Sequence, residues 1–165
     1  MNNFAFIDAQ NLHRGIKSLG WKIDWIKFRI YLKDKYNVKF AYIFIGYIPS
    51  KQDLYSELQE AGYILIFKPV IFDGEGKAKG NCDADLVLHT LLKQNEYDKA
   101  IIVTSDGDFY SLVKHLYENN KLCMVLSPYI RTCSKLLKHE AKEKINYMNN
   151  LQGKIGRNEK APRKD

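Results

Sequence analysis

Apolar residues along the chain fall into short, nearly unbroken runs separated by stretches with helical spacing. The runs are Phe4-Ala5-Phe6-Ile7, Phe40-Ala41-Tyr42-Ile43-Phe44-Ile45, Tyr63-Ile64-Leu65-Ile66-Phe67, Ala100-Ile101-Ile102-Val103 and Leu122-Cys123-Met124-Val125-Leu126. Strands with so little polar alternation belong to a parallel sheet covered on both faces. Between the first two runs, Leu12, Ile16 and Leu19 recur at helical spacing before Gly20, and Trp25, Phe28 and Leu32 do so after Asp24, an N-cap residue type. Further helices are predicted at about 51–61, 82–95, 108–119 and 132–143. The 82–95 helix carries an apolar stripe of Ala84, Val87, Leu88, Leu91 and Leu92; the 108–119 helix carries Phe109, Leu112, Val113 and Leu116. Regular alternation of strand and helix implies right-handed crossovers and a doubly wound, three-layer α/β/α sandwich around a mostly parallel sheet of about five strands. Residues 73–81 break the pattern with three glycines and two lysines, which predicts a mobile loop, a candidate flap over the start of the next helix.

With 165 residues, 45% of them hydrophobic, the chain is the size of one domain, expected over residues 1–150. No apolar run approaches the roughly 18 residues of a membrane span. The N-terminal Met-Asn-Asn-Phe-Ala-Phe-Ile-Asp lacks the pattern of a secretory signal, so a cytoplasmic location is expected. Cys82, Cys123 and Cys133 form neither a CxxC nor a Cys/His cluster, the usage of reduced thiols. Net charge is +7, which favours a polyanionic partner. Residues 153–165 supply +3 of it, and the segment 151–165 reads as a flexible basic tail, either solvated or touching nucleic acid.

Ligands of open α/β sheets bind beyond the carboxyl ends of the strands. Asp8 closes the first strand, Asp106 and Asp108 follow the fourth predicted run, and Asp83 and Asp85 open the helix after the glycine-rich segment. Each has a bland explanation, because Asp is a common N-cap and acids in a first helical turn gain about 0.3–1 kcal/mol from the dipole. Together they would repel one another unless a cation sat among them. Oxygen donors without His or Cys suit Mg²⁺ or Mn²⁺. Without these five aspartates, residues 1–152 carry +9. A basic body around an acidic pocket suits phosphodiester chemistry at carboxylate-bound metal.

Three motifs, Phe6-Ile7-Asp8-Ala9-Gln10-Asn11-Leu12, Lys79-Gly80-Asn81-Cys82-Asp83-Ala84-Asp85-Leu86 and Ile102-Val103-Thr104-Ser105-Asp106-Gly107-Asp108-Phe109, make the chain resemble, over roughly 1–148, a NYN domain. That family belongs to the PIN-like nuclease superfamily, and the branch is the bacterial type related to the LabA proteins. The resemblance implies a doubly wound PIN-like fold and a metal-dependent ribonuclease. It implies Asp8, Asp83, Asp106 and Asp108 as catalytic and metal-holding residues for one or two Mg²⁺ or Mn²⁺ ions. Cys82 stands where the family pattern has Val, Thr104-Ser105 where it has Ser-Gly, and His89 where many relatives carry another Asp; an Asp85–His89 surface pair is the simplest reading of that position.

On this reading Asn11 and Ser105 orient a phosphate oxygen or a water, while Lys79 and Lys77 close over the scissile phosphate. Arg131, Lys135, Lys138 and Lys142 form either a second backbone track or a solvated face. Tyr47, Tyr110 and Tyr129 are candidates for base stacking. The expected partner is RNA, single-stranded foremost, with DNA and a homodimer left open. The rival reading is a PIN-like RNA-binding module with little or no turnover. Two other carboxylate-metal folds fit less well: Toprim domains place a Glu where Asp8 stands, and haloacid-dehalogenase phosphatases need an Asp at position 10, which is Gln.

Overall fold

The computed structural model describes residues 1–76, 78–79 and 82–158. Six parallel strands form the central sheet: β1 (Asn3–Asp8), β2 (Val38–Tyr47), β3 (Tyr63–Pro69), β6 (Ala100–Val103), β7 (Leu122–Ser127) and β8 (Ile145–Tyr147). Their order is β3-β2-β1-β6-β7-β8. Two further strands, β4 (Ile71–Phe72) and β5 (Ala78–Lys79), pair antiparallel as a hairpin. Part of the segment expected to be a loop is therefore a strand. The sheet has one strand more than the apolar runs indicated; β8 is three half-buried residues with Asn146 at its centre.

Alternate residues of each strand feed opposite layers. Ala5, Ile7 and Ile43 join Leu12, Ile16, Phe28, Leu32 and Leu58 in one core, beneath α1 (Ala9–Ser18), α2 (Trp25–Tyr36), α3 (Gln52–Glu60) and α7 (Gln152–Ile155). Phe4, Phe6, Tyr42, Phe44 and Ile102 join Leu86, Phe109, Leu112, Val113 and Leu137 in the other, beneath α4 (Asp83–Leu92), α5 (Tyr110–Glu118) and α6 (Lys135–Ala141). The second core is aromatic at its centre. Phe6 stacks on Tyr42 at 5.5 Å with planes 9° apart, and Phe4 meets Tyr97 at 5.4 Å. Together the two cores absorb most of the chain's aromatic residues.

Two expectations are corrected. The apolar stripe of α4 faces solvent: Leu88 and Leu92 are 53% and 70% exposed, and Leu86 and Thr90 are its buried residues. Thr90 tolerates the core because its hydroxyl donates to Leu86 O (2.8 Å) and its carbonyl accepts from Tyr97 Oη (2.9 Å). The start of the expected tail is also packed. Ile155 is fully buried, Gly156 bridges to Ile23, and Arg157 donates Nε to Ile23 O and pairs with Glu57. Residues 159–165 lie outside the described residues. Among the described residues, no helix is long and apolar enough to cross a membrane.

The first three strands step outward from β1, with their helices on one face; the chain then crosses to the other face through α4 and lays down β6 on the opposite side of β1. The reversal opens a crevice between the carboxyl ends of β1 and β6, the place where open α/β sheets bind ligands.

Candidate functional site

The carboxyl end of β1 delivers Asp8 to that crevice. Asp8 has extended backbone angles and caps α1, its Oδ1 accepting from Asn11 N at 3.2 Å. Its Oδ2 accepts from Thr104 Oγ1, also at 3.2 Å, and Thr104 Oγ1 in turn accepts from Asp106 N at 3.1 Å. One threonine hydroxyl therefore ties the ends of β1 and β6 together. Asp106 opens a short 3-10 turn (Gly107–Phe109), its Oδ1 accepting from Asp108 N at 2.9 Å. The bland role of these aspartates as caps and their place in the crevice coexist in the same side chains.

Asp83, at the first turn of α4, completes the group. Asp8, Asp83 and Asp106 each offer a carboxylate oxygen, and the three oxygens lie within 4.8 Å of one another. Asp8 is only 9% exposed, and its carboxyl is pushed up from 3.8 to about 6. Burial is the largest cause; the charges of Asp83 and Asp106 add to it, against the opposing hydrogen bonds from Asn11 and Thr104. A buried carboxylate flanked by two more is repelled by them, and a cation bound among the three would relieve that repulsion. All three donors are hard oxygens, so the residues fit a Mg²⁺ or Mn²⁺ ion that keeps part of its water shell. The neighbouring Cys82 thiol is itself pushed up to about 11, chiefly by burial, and so stays protonated at neutral pH.

Other residues expected at the site are placed differently. Asp108 is exposed and stands outside the three-carboxylate group, at the rim. Ser105 is buried: its N–H donates to Asn11 Oδ1 at 2.7 Å and its hydroxyl lies 2.7 Å from Ser127 Oγ. Asn11 Oδ1 and the Ser105 hydroxyl thus brace the loop beneath Asp106. The backbone of Lys79 lies in β5, and Lys77 lies outside the described residues. His89 sets its ring edge-on against Phe44 at 5.5 Å, and among the described residues no ion pair joins it to Asp85. Tyr47 packs into a cluster with Tyr55 and Phe67, at 5.9 and 5.5 Å.

Sequence reading did not find Thr104, Ser127 or Ser134. Ser134 N donates to Ser105 O (3.0 Å), and Ser134 Oγ caps α6. It also explains Gly107, where a Cβ would lie 2.4 Å from Ser134 Oγ. A Gly next to Asp106 was the one local signal of that close approach.

A parallel sheet wound in both directions, with carboxylates from three separate segments meeting at its switch point, defines an α/β domain whose acidic cluster could hold a metal ion. The NYN domain model matches residues 4–148, and the chain belongs to the NYN domain family, with PIN-like nuclease architecture. A crystal structure of a protein of unknown function from Vibrio parahaemolyticus RIMD 2210633 has the same fold. Its TM-score is 0.76 and its identity 21%, covering 94% of this chain and 96% of that one. No curated protein matches the chain.

Proposed function

We propose that the protein is a metal-dependent ribonuclease that hydrolyses phosphodiester bonds of single-stranded RNA with Mg²⁺ or Mn²⁺ held by Asp8, Asp83 and Asp106. The observation that carries this reading is the convergence of those three carboxylates within 4.8 Å at the switch point of a NYN domain. When bound, the ion supplies a polarised water and charge for the leaving oxygen. Each residue has a separate task. Asp8 accepts Asn11 N and Thr104 Oγ1, which fixes both its oxygens before any ion arrives. Asp106 is aimed by Thr104 from below and by the Asp108 N–H from the side. Asn11 and Ser105 hold the loop that carries it. Asp108, exposed two residues after Asp106, would accept a proton or hold a second ion. Lys77 and Lys79 belong to the segment that leads into α4, and their proposed role is to hold the phosphate.

The test is hydrolysis of an end-labelled single-stranded RNA, with a DNA of the same sequence alongside, in chelator, Mg²⁺ and Mn²⁺. Wild-type protein is expected to cut RNA only with metal, and Asp83→Asn and Asp106→Asn are expected to lose the activity. RNA left intact in both metals but still bound would overturn catalysis and assign the protein as an RNA-binding module.

A further inference from the structure

A groove of about 920 Å³ begins at Asp8 and Asp83 and runs along α1 and α3 on the side of the sheet away from α4. Half-buried Ile45, Ile48, Leu54 and Val70 give it an apolar floor, laid over the buried core residues Leu12, Ile43 and Leu58. The chain's two tryptophans both line it, Trp25 half-buried and Trp21 exposing only 9% of its surface. Four exposed cations, Arg14, Lys17, Lys22 and Lys51, line it as well, and none of them makes an ion pair among the described residues. The acid on this stretch, Glu57, is already paired with Arg157. The α1 wall alone has ten residues, about 15 Å at 1.5 Å per residue.

Apolar floor, flat aromatic rings and unpaired cations describe a ligand with both an anionic repeat and planar apolar faces. A simple lipid or peptide anion would not need the tryptophans, and duplex nucleic acid keeps its base faces stacked inside. We infer that this groove is the track for the single strand leading to the carboxylate group, its bases lying against Trp25 and the half-buried apolar floor and its phosphates against Arg14, Lys17, Lys22 and Lys51. The inference rests on the ribonuclease reading for what happens at the end of the track, but binding along it needs no metal. Base-on-aromatic contacts tolerate any sequence, so the track selects strandedness and not sequence.

The experiment uses the full chain in chelator, where no cutting occurs, and a twelve-nucleotide oligouridylate as the probe. Because both tryptophans line the groove, their emission reports its occupancy directly. Titration is expected to quench that emission with the same midpoint as the anisotropy of a labelled oligonucleotide. A duplex of equal length is expected to bind at least tenfold more weakly. Lys17→Glu with Lys22→Glu is expected to weaken binding tenfold or more. It should also reduce the slope of log affinity against log salt by about 1.4, at roughly 0.7 per single-strand phosphate contact. Lys33→Glu with Lys39→Glu, also exposed but away from the groove, matches the charge change and is expected to bind as wild type does. Binding without quenching, equal loss in both double variants, or preference for the duplex would each overturn the track. Failure of RNA cleavage with this binding intact would instead strike the ribonuclease reading alone.

Discussion

Replacing Asp8 by Asn isolates the electrostatic strain at the site. In the folded chain the Asp8 carboxyl titrates at about 6 instead of 3.8, a shift that corresponds to about 3 kcal/mol against the ionised form. The sign follows from linkage: the folded state holds the proton more tightly than the unfolded state, so stability falls as pH rises through the interval between the two values. Below about pH 4 the penalty is absent, between 4 and 6 it grows, and above 6 it is fully present. Asn keeps the capping acceptor for Asn11 N but gives up a dipole contribution of about 0.3–1 kcal/mol. Metal-free Asp8→Asn should therefore exceed wild type by about 2 kcal/mol at pH 8, or roughly 4–8 °C in Tm for a chain this size. The two proteins should converge near pH 4. Urea unfolding of both in chelator across pH 4–8 measures the difference. Saturating Mn²⁺ should then stabilise wild type, by about 2.7 kcal/mol at a hundred times Kd, and leave the variant unmoved. A variant less stable than wild type at pH 8, or a difference that does not change with pH, would refute the claim that Asp8 is held ionised at a cost.

Asn11→Ala removes the acceptor of the Ser105 N–H and is expected to cost about 1–3 kcal/mol in urea melts. Because Ser105 immediately precedes Asp106, kcat/KM for RNA should drop on the order of 10²-fold. Gly107→Ala forces the Ser134 hydroxyl off its α6 cap, a loss of about 1 kcal/mol. Adding Ser134→Gly removes the clash, so the double variant should lose less stability than the two single losses together. On α4, Leu86→Ala is expected to cost about 2–5 kcal/mol and Leu88→Ala less than about 0.5 kcal/mol, the reverse of what its apolar stripe alone would suggest.

Four of the six central strands announced themselves because both their faces are largely buried, which leaves unbroken apolar runs such as Ile101–Val103, and the edge strand β3 showed the same apolar run although its Ile64 and Phe67 are part-exposed. β8 did not, since a half-buried edge strand of three residues has no run to show. The α4 stripe pointed outward because Leu86 and Thr90 form the inward face, and a threonine satisfied by Leu86 O and Tyr97 Oη carries no apolar signal. At the site, Asp8, Asp83 and Asp106 were legible because strand ends and helix starts are recognisable in sequence. Their supports were not, because Asn11 reaches Ser105 across 94 residues and Ser105 reaches Ser127 through a hydroxyl, bonds that depend on the folded topology alone. The same topology turns Asp108 outward, although its spacing from Asp106 made the two look equivalent.

Anomalous diffraction from crystals soaked in Mn²⁺ addresses the metal centre most directly. A single strong peak is expected at about 2.0–2.3 Å from carboxylate oxygens of Asp8, Asp83 and Asp106, and it should vanish in Asp106→Asn crystals. Soaked crystals with no peak there, their three carboxylates turned away from one another, would contradict the assignment of the crevice as a metal centre.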